Sequence, residues 1–232
     1  MKLAVMQPYF FPYIGYFQLV AAVDRLVILD DVNFIKQGWI NRNRILVKCC
    51  PFLFSIPLRH PSSFSPIYET RLASGTHAYL KLLMTIEQAY RKAPNFEPIY
   101  NLVRKVCEHK TEFIGQLALE SILAVVEYLG VSTEIISTSR YYGNSDLKGA
   151  ERVLDICLRE GAAEYVNLPG GEALYDKGGF ADASVNLRFL QPKPSVYPQF
   201  GCPFVPSLSI IDVLMFNHRD AVRAMLNQYE LT

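Results

Sequence analysis

Two adjacent carboxylates, Asp30 and Asp31, stand directly after a short apolar run at residues 26–29. Acids in that position are costly if buried alone, so they are solvated, paired with Lys36 or Arg42, or held for a ligand. A partly desolvated carboxylate can take the proton of an amine nucleophile, which makes Asp30 and Asp31 the candidate catalytic groups. A few residues on, the chain's only tryptophan opens the sequence Trp39-Ile40-Asn41-Arg42-Asn43-Arg44. In an extended segment Arg42 and Arg44 share one face and Asn41 and Asn43 the other, so one side offers two cations to phosphate or carboxylate. Lys36, Trp39, Asn41 and Arg42 are therefore candidates for substrate binding.

Two turns add to this set. In Gln7-Pro8-Tyr9-Phe10-Phe11-Pro12-Tyr13-Ile14-Gly15-Tyr16, prolines fix φ on either side of three aromatics, and Gly15 admits a close approach. Gln7, Tyr9 and Tyr13 are the candidate contacts there. Far along the chain, Asn167-Leu168-Pro169-Gly170-Gly171 followed by Tyr175 reads as strand, glycine turn and helix. Paired glycines at a helix start expose successive N–H groups, an anion nest, so Asn167, Gly170, Gly171 and Tyr175 join the candidates. Gln199 follows Tyr197-Pro198, and Ser209 with Asp212 has the spacing of a capping box. His60, His77, His109 and His218 show no metal-binding spacing, and neither GxSxG nor a Walker sequence is present. Neither a metal nor a cofactor is expected.

The elements that must position these residues alternate. Residues 3–6 form a buried-type strand, a helical pattern carries Ile14, Phe17, Gln18, Val20, Ala21 and Val23, and residues 26–29 form a second strand, which makes a βαβ unit. Residues 44–48 and 52–57 form a hairpin. Helices follow at 79–92, 98–109 and 112–129, the last capped by Gly130. Alternation then resumes: strand 133–136, helix 149–159, strand 164–167 and a further strand at 185–190. Residues 191–206 read as irregular, and a last helical region runs from Ser207 to about Gln228. The expected fold is α/β, a Rossmann-like parallel sheet flanked by helices, in a single domain over residues 1–232 with a helical insertion at about 74–130. Ligand crevices in such sheets lie outside the carboxyl ends of the strands, so Gln7 and the acid pair should face a common crevice with the diglycine turn.

Composition narrows the partner. The chain has 232 residues, half of them apolar, with 23 basic and 22 acidic side chains, so no general field favours nucleic acid or an anionic membrane. A small molecule is the expected partner. No apolar run approaches a membrane span and the first residues do not form a signal-peptide core, which points to the cytoplasm. Cys49, Cys50, Cys107, Cys157 and Cys202 lack CxxC spacing and are expected as reduced thiols.

Two resemblances follow. The opening strand-turn-helix resembles that of nucleotidyltransferases and pantothenate-synthetase-like ligases, with Tyr13-Ile14-Gly15-Tyr16 in the place of their HxGH. Both histidines are tyrosine here, which weakens an ATP-dependent adenylating reading while leaving kinship of fold. More specifically, QPYFFPYIGYFQL, DDVNFIKQGWINRNRI, YVNLPGGEALY and LSIIDVLMFN, in that order over nearly the whole chain, resemble the WbqC-like family. That resemblance implies a bacterial protein of O-antigen and related lipopolysaccharide gene clusters, described as a glycine or aminoacyl transferase acting on amino sugars. It implies a nucleotide-linked amino sugar as substrate and an acyl donor that could be carried by an acyl carrier protein. The matching positions include Gln7, Tyr9, Asp30, Asp31, Lys36, Trp39, Asn41, Arg42, Asn167, Gly170, Gly171, Tyr175, Gln199, Ser209 and Asp212. The chain departs from many relatives where a Trp and a His stand four residues apart, since Ala78 and Leu82 occupy those places. A non-catalytic sugar-nucleotide-binding or assembly protein is the remaining alternative.

Overall fold

The computed structural model describes residues 1–73, 77–193 and 195–232, without the side chains at positions 77 and 78. The elements in order are β1 (Lys2–Met6), α1 (Ile14–Ala22), β2 (Arg25–Ile28), β3 (Arg42–Val47), β4 (Cys50–Ser55), α2 (His77–Tyr90), α3 (Phe96–Cys107) and α4 (Ile114–Leu129). Then come β5 (Glu134–Ile136), α5 (Gly149–Arg159), β6 (Glu164–Asn167), α6 (Lys177–Asp182), β7 (Asn186–Pro192), α7 (Ile210–Phe216), α8 (Arg219–Met225) and β8 (Tyr229–Leu231). The central sheet has the order β5-β2-β1-β6-β7-β8, parallel throughout except that β8 runs antiparallel to β7. The mixed α/β architecture expected from the alternation is the one observed.

Strand side chains alternate between faces, and both faces here are covered. Leu3, Val5 and Val27 pack with Ile156 and Cys157 of α5 and Phe180 of α6. Ala4, Leu26 and Ile28 belong to the other core, with Phe17 and Val20 of α1 and Val125 of α4. That second core continues through α2, α3 and α4, so the helical segment shares a hydrophobic interior with the sheet. Its expected start at residue 74 lies outside the described residues. Helix α4 stops at Gly130, whose φ of 65° lets Val131 N donate to Val126 O, the terminator the sequence predicts.

Four local expectations are corrected. The hairpin is set two residues earlier than expected, turning through Lys48 and Cys49 at φ of 49° and 64° with no glycine. Cys49 and Cys202, 153 positions apart, form a disulfide with their Cα atoms 5.5 Å apart, so the five cysteines are not all thiols. The diglycine segment is a 3-10 helix, Pro169–Leu174, rather than the start of an α-helix, because α6 begins later behind its own cap Asp176. The last helical region is broken at Asn217 into α7 and α8, and the end of the chain returns as β8 beside β7. No helix among the described residues is long and apolar enough to cross a membrane.

Candidate functional site at the carboxyl ends of the strands

The chain leaves β1 toward β2 and leaves β6 toward β7, in opposite directions across the sheet. The point where strand order reverses therefore lies between β1 and β6, the place where open α/β sheets form ligand crevices. Gln7 follows β1 there and Asn167 ends β6. The Gln7 side-chain oxygen Oε1 is buried and accepts no hydrogen bond from the protein. It shares that state with Gln18 Oε1 of α1, and of the two it is the one at the strand end. Asn167 is buried and turned inward: its Oδ1 accepts from Leu168 N at 2.8 Å, while a Cβ on Gly171 would stand 2.4 Å from its Nδ2. Gly171 is thus required by Asn167 and by Tyr175, 3.0 Å from the same Cβ position, whereas Gly170 has open space around it. Gly171 serves side-chain packing, and its N–H is spent on Leu168 O at 3.0 Å, in a 3-10 turn and not at the start of an α-helix.

On the next strand over, the two acids part company. Asp31 Oδ2 lies 2.6 Å from Arg152 Nη2 of α5, both side chains are over nine-tenths buried, and Asp31 Oδ1 accepts from Ser139 Oγ. Its partner is neither Lys36 nor Arg42, the two expected from the sequence: Arg152 takes one oxygen and Ser139 the other. Asp30 Oδ1 accepts from Thr138 Oγ1 at 2.7 Å and from Ser139 N at 3.2 Å. Its Oδ2 has Arg140 Nε at 3.7 Å as the partner identified. Burial pushes the Asp30 carboxyl above the usual aspartate range, and the hydrogen bond from Thr138 and the charge of Arg140 oppose that only in part. Arg140 itself lies over the Tyr68 ring at 4.5 Å. Asp30 is thus desolvated, held on one oxygen by Thr138 and Ser139, and faces Arg140 with the other.

The aromatic and cationic candidates lie elsewhere along the loops that leave the sheet. Tyr9, Pro12, Tyr13, Trp39, Asn43, Arg44 and Ser207 line a cleft of about 270 Å³. Arg42 and Arg44 place their guanidinium carbons 5.7 and 5.5 Å from the Trp39 ring centre, as the shared face of an extended strand requires. Gly15 has a local reason too: a Cβ there would stand 2.3 Å from the ring of Tyr13, so the glycine lets that ring fold back along the helix start. Lys36, Asn41 and Arg42 line a neighbouring shallow cleft of about 360 Å³. Arg42 donates to the carbonyls of Gly38 and Gln37, and Asn41 Nδ2 to that of Ile56, so both also hold the loop's own backbone. In place of the single crevice expected from the sequence there are a strand-end cluster and two clefts lined by other residues, the first of them reached from Gln7 through the loop that carries Tyr9, Pro12 and Tyr13.

Gln199 stands apart from all three. It is fully buried and spends its hydrogen bonds inside, donating to Asp212 Oδ1 and Val205 O and accepting from Val205 N. Asp212, fully buried, also accepts from the hydroxyls of Tyr90 at 2.6 Å and Tyr197 at 2.7 Å. Burial raises its carboxyl while these three donors pull it back. The expected capping box is half formed, because Ser209 caps α7 through Ile211 N but Asp212 turns to the network instead. Leu82 is core, and the side chain at Ala78 lies outside the described residues.

Sequence reasoning missed Thr138, Ser139, Arg140 and Arg152. The first three directly follow β5 as Asp30 follows β2, so the strand-end rule that singled out the acids applies to them as well. Arg152 carried no signal, being one of several charged residues on an amphipathic helix.

A mostly parallel α/β sheet with polar groups at the carboxyl ends of β5, β2, β1 and β6 is the class of the molecule. Residues 7–224 match the WbqC-like protein family, and the chain belongs to it. It is similar to the Uncharacterized protein Rv1507c of Mycobacterium tuberculosis (strain ATCC 25618 / H37Rv), with 29% identity over 218 residues, covering 93% of each chain. No solved structure matches.

Proposed function

We propose that the protein is a cytoplasmic transferase of surface-polysaccharide biosynthesis that forms an amide on the amine of a nucleotide-linked amino sugar. The acyl group, glycyl or another, comes from an activated donor such as a carrier-protein thioester. The observation that carries this reading is the unsatisfied Oε1 of Gln7 at the switch point, on the strand adjacent to that of Asp30. An acceptor without a donor suits an incoming N–H, and an amine held there presents its lone pair to an acyl carbon. Asp30, with its carboxyl pushed up by burial, takes the proton the nitrogen sheds as the C–N bond forms and the thiolate leaves. Arg140 and Arg152 offset the charges of the two carboxylates, and the Asp31–Arg152 pair fixes Ser139 against Asp30. The cleft of Tyr13, Trp39 and Arg44 supplies an aromatic wall and a cation for base and diphosphate.

The test is mass spectrometry of dTDP-amino sugars incubated with acyl thioesters and the protein. A mass gain of the acyl group with wild type, lost in Asp30→Asn and strongly reduced in Gln7→Ala, is expected. Absence of product from folded wild type across all pairs, with or without tight sugar-nucleotide binding, removes the transferase reading.

A further inference from the structure

The disulfide between Cys49 and Cys202 joins two segments that both line the cleft of Tyr13, Trp39 and Arg44. Cys49 sits in the tight turn of the β3–β4 hairpin, and β3 carries Asn43 and Arg44 into the cleft. Cys202 closes a turn with Gln199, donating its N–H to Gln199 O at 2.9 Å, and the loop beyond it brings Ser207 into the cleft lining beside Arg44. The loop is fixed at both ends: Gln199 through Asp212 and Val205, and Ser209 through Phe11 O and Arg44 O. Between them Ser207 holds to the hairpin by its carbonyl, which accepts from Arg44 Nη2 at 3.3 Å, and its φ of 55° is unfavourable for a non-glycine residue. The covalent bond is the strong tie across that gap.

Both half-cystines are within reach of solvent, Cys49 exposed and Cys202 partly so. Cys107 and Cys157 are buried, and burial pushes each thiol up to about 12, which keeps them out of exchange chemistry. Exposed Cys50 is the one other thiol in a position to compete.

We propose that Cys49 and Cys202 are a reversible thiol–disulfide exchange site, taking a low-molecular-weight disulfide as oxidant, and that its state sets the mobility of the Ser207 wall of the cleft. In oxidation the Cys49 thiolate attacks one sulfur of the small disulfide and expels a small thiolate. The Cys202 thiolate then attacks the Cys49 sulfur, forms the protein disulfide and expels the second small thiolate. Two electrons pass to the small disulfide, one S–S bond is broken and one formed, and the two protons of the protein thiols end on the released thiols. Two molecules of the small thiol, one at each step, reverse the sequence and regenerate the small disulfide. The rest of the fold stays in place, because Tyr90 still links Leu46 N to Asp212 without the bond.

The experiment compares protein equilibrated with mixtures of glutathione and its disulfide. After denaturation and alkylation, the oxidised form takes up label on three of the five cysteines and the reduced form on all five, and the fraction follows the couple's ratio in both directions. Amide hydrogen exchange across residues 200–207 rises by about tenfold or more in the reduced protein and in Cys202→Ser, and not in Cys50→Ser. Uptake of five labels at every ratio overturns the exchange site. Equal exchange at residues 200–207 in both verified states overturns its control of the cleft wall. Neither readout depends on acyl transfer, so failure here and failure of the transferase reading are separate results.

Discussion

Asp31 and Arg152, 121 positions apart, bury a carboxylate and a guanidinium against one another at 2.6 Å behind the strand ends. Removing one partner strands the other's charge, a loss of about 3–5 kcal/mol for a buried pair. Arg152→Met is therefore expected to lose that much in urea unfolding, and Asp31→Asn somewhat less because the amide still accepts from Ser139. The double variant should recover much of the loss. Equal, additive losses would show that the two side chains do not depend on one another.

Asp30 gives a dependence on pH with opposite signs for stability and for activity. Its folded carboxyl titrates above the ordinary aspartate value, so as pH rises from that value the unfolded chain releases its proton first and stability falls. The fall ends once pH passes the raised folded value. Asp30→Asn keeps acceptors for Thr138 and Ser139 N and should flatten this descent, leaving the part due to Asp212, which shifts in the same direction. Acyl transfer needs the ionised base and rises with pH through the same folded value. Denaturation curves and rates over a pH series check both limbs.

The two packed glycines should differ in what alanine does to them. At Gly15 the intruding Cβ meets the outer part of the Tyr13 ring, which can swing into the cleft, so Gly15→Ala should cost about 0.5–1.5 kcal/mol in rotamer strain. Sugar-nucleotide binding should weaken with it. At Gly171 the Cβ meets the buried amide of Asn167, which has nowhere to go, and Gly171→Ala should cost about 1–3 kcal/mol. Thermal melts together with Tyr13→Ala and Asn167→Ala cycles measure each coupling.

Asp212 holds three buried donors at once. Asp212→Ala leaves the two tyrosine hydroxyls and Gln199 without their acceptor, at about 1–3 kcal/mol for each donor that finds no substitute. Chemical denaturation should show a loss near the upper part of that range, with Asp212→Asn milder. A change under 1 kcal/mol on either variant would mean that the network relaxes freely.

The strand ends were legible from sequence because burial, polarity and the geometry of parallel sheets coincide within a few residues, as at Gln7 and at Asp30. The parallel sheet, the C-cap at Gly130 and the hairpin were legible for the same local reasons. What escaped was set by contacts between distant segments. Nothing near Asp31 announces Arg152, nothing near Cys49 announces Cys202, and the polarity of Gln199 and Asp212 gives no sign that they satisfy one another in the core. At Gly15 the sequence points to a close approach and at Gly171 to an anion nest, whereas Tyr13 and Asn167 take the space, since a glycine's spacing does not reveal which side chain fills it.

The single hydroxyl of Tyr90 accepts from Leu46 N of the hairpin and donates to Asp212 of α7 while its own backbone ends α2. It works as a rivet through three plates. Exchanging the α2–α4 region between relatives as a cassette would therefore carry a hidden requirement: the graft must bring a phenol at this spot, or the recipient's hairpin and terminal helices lose their common fastening.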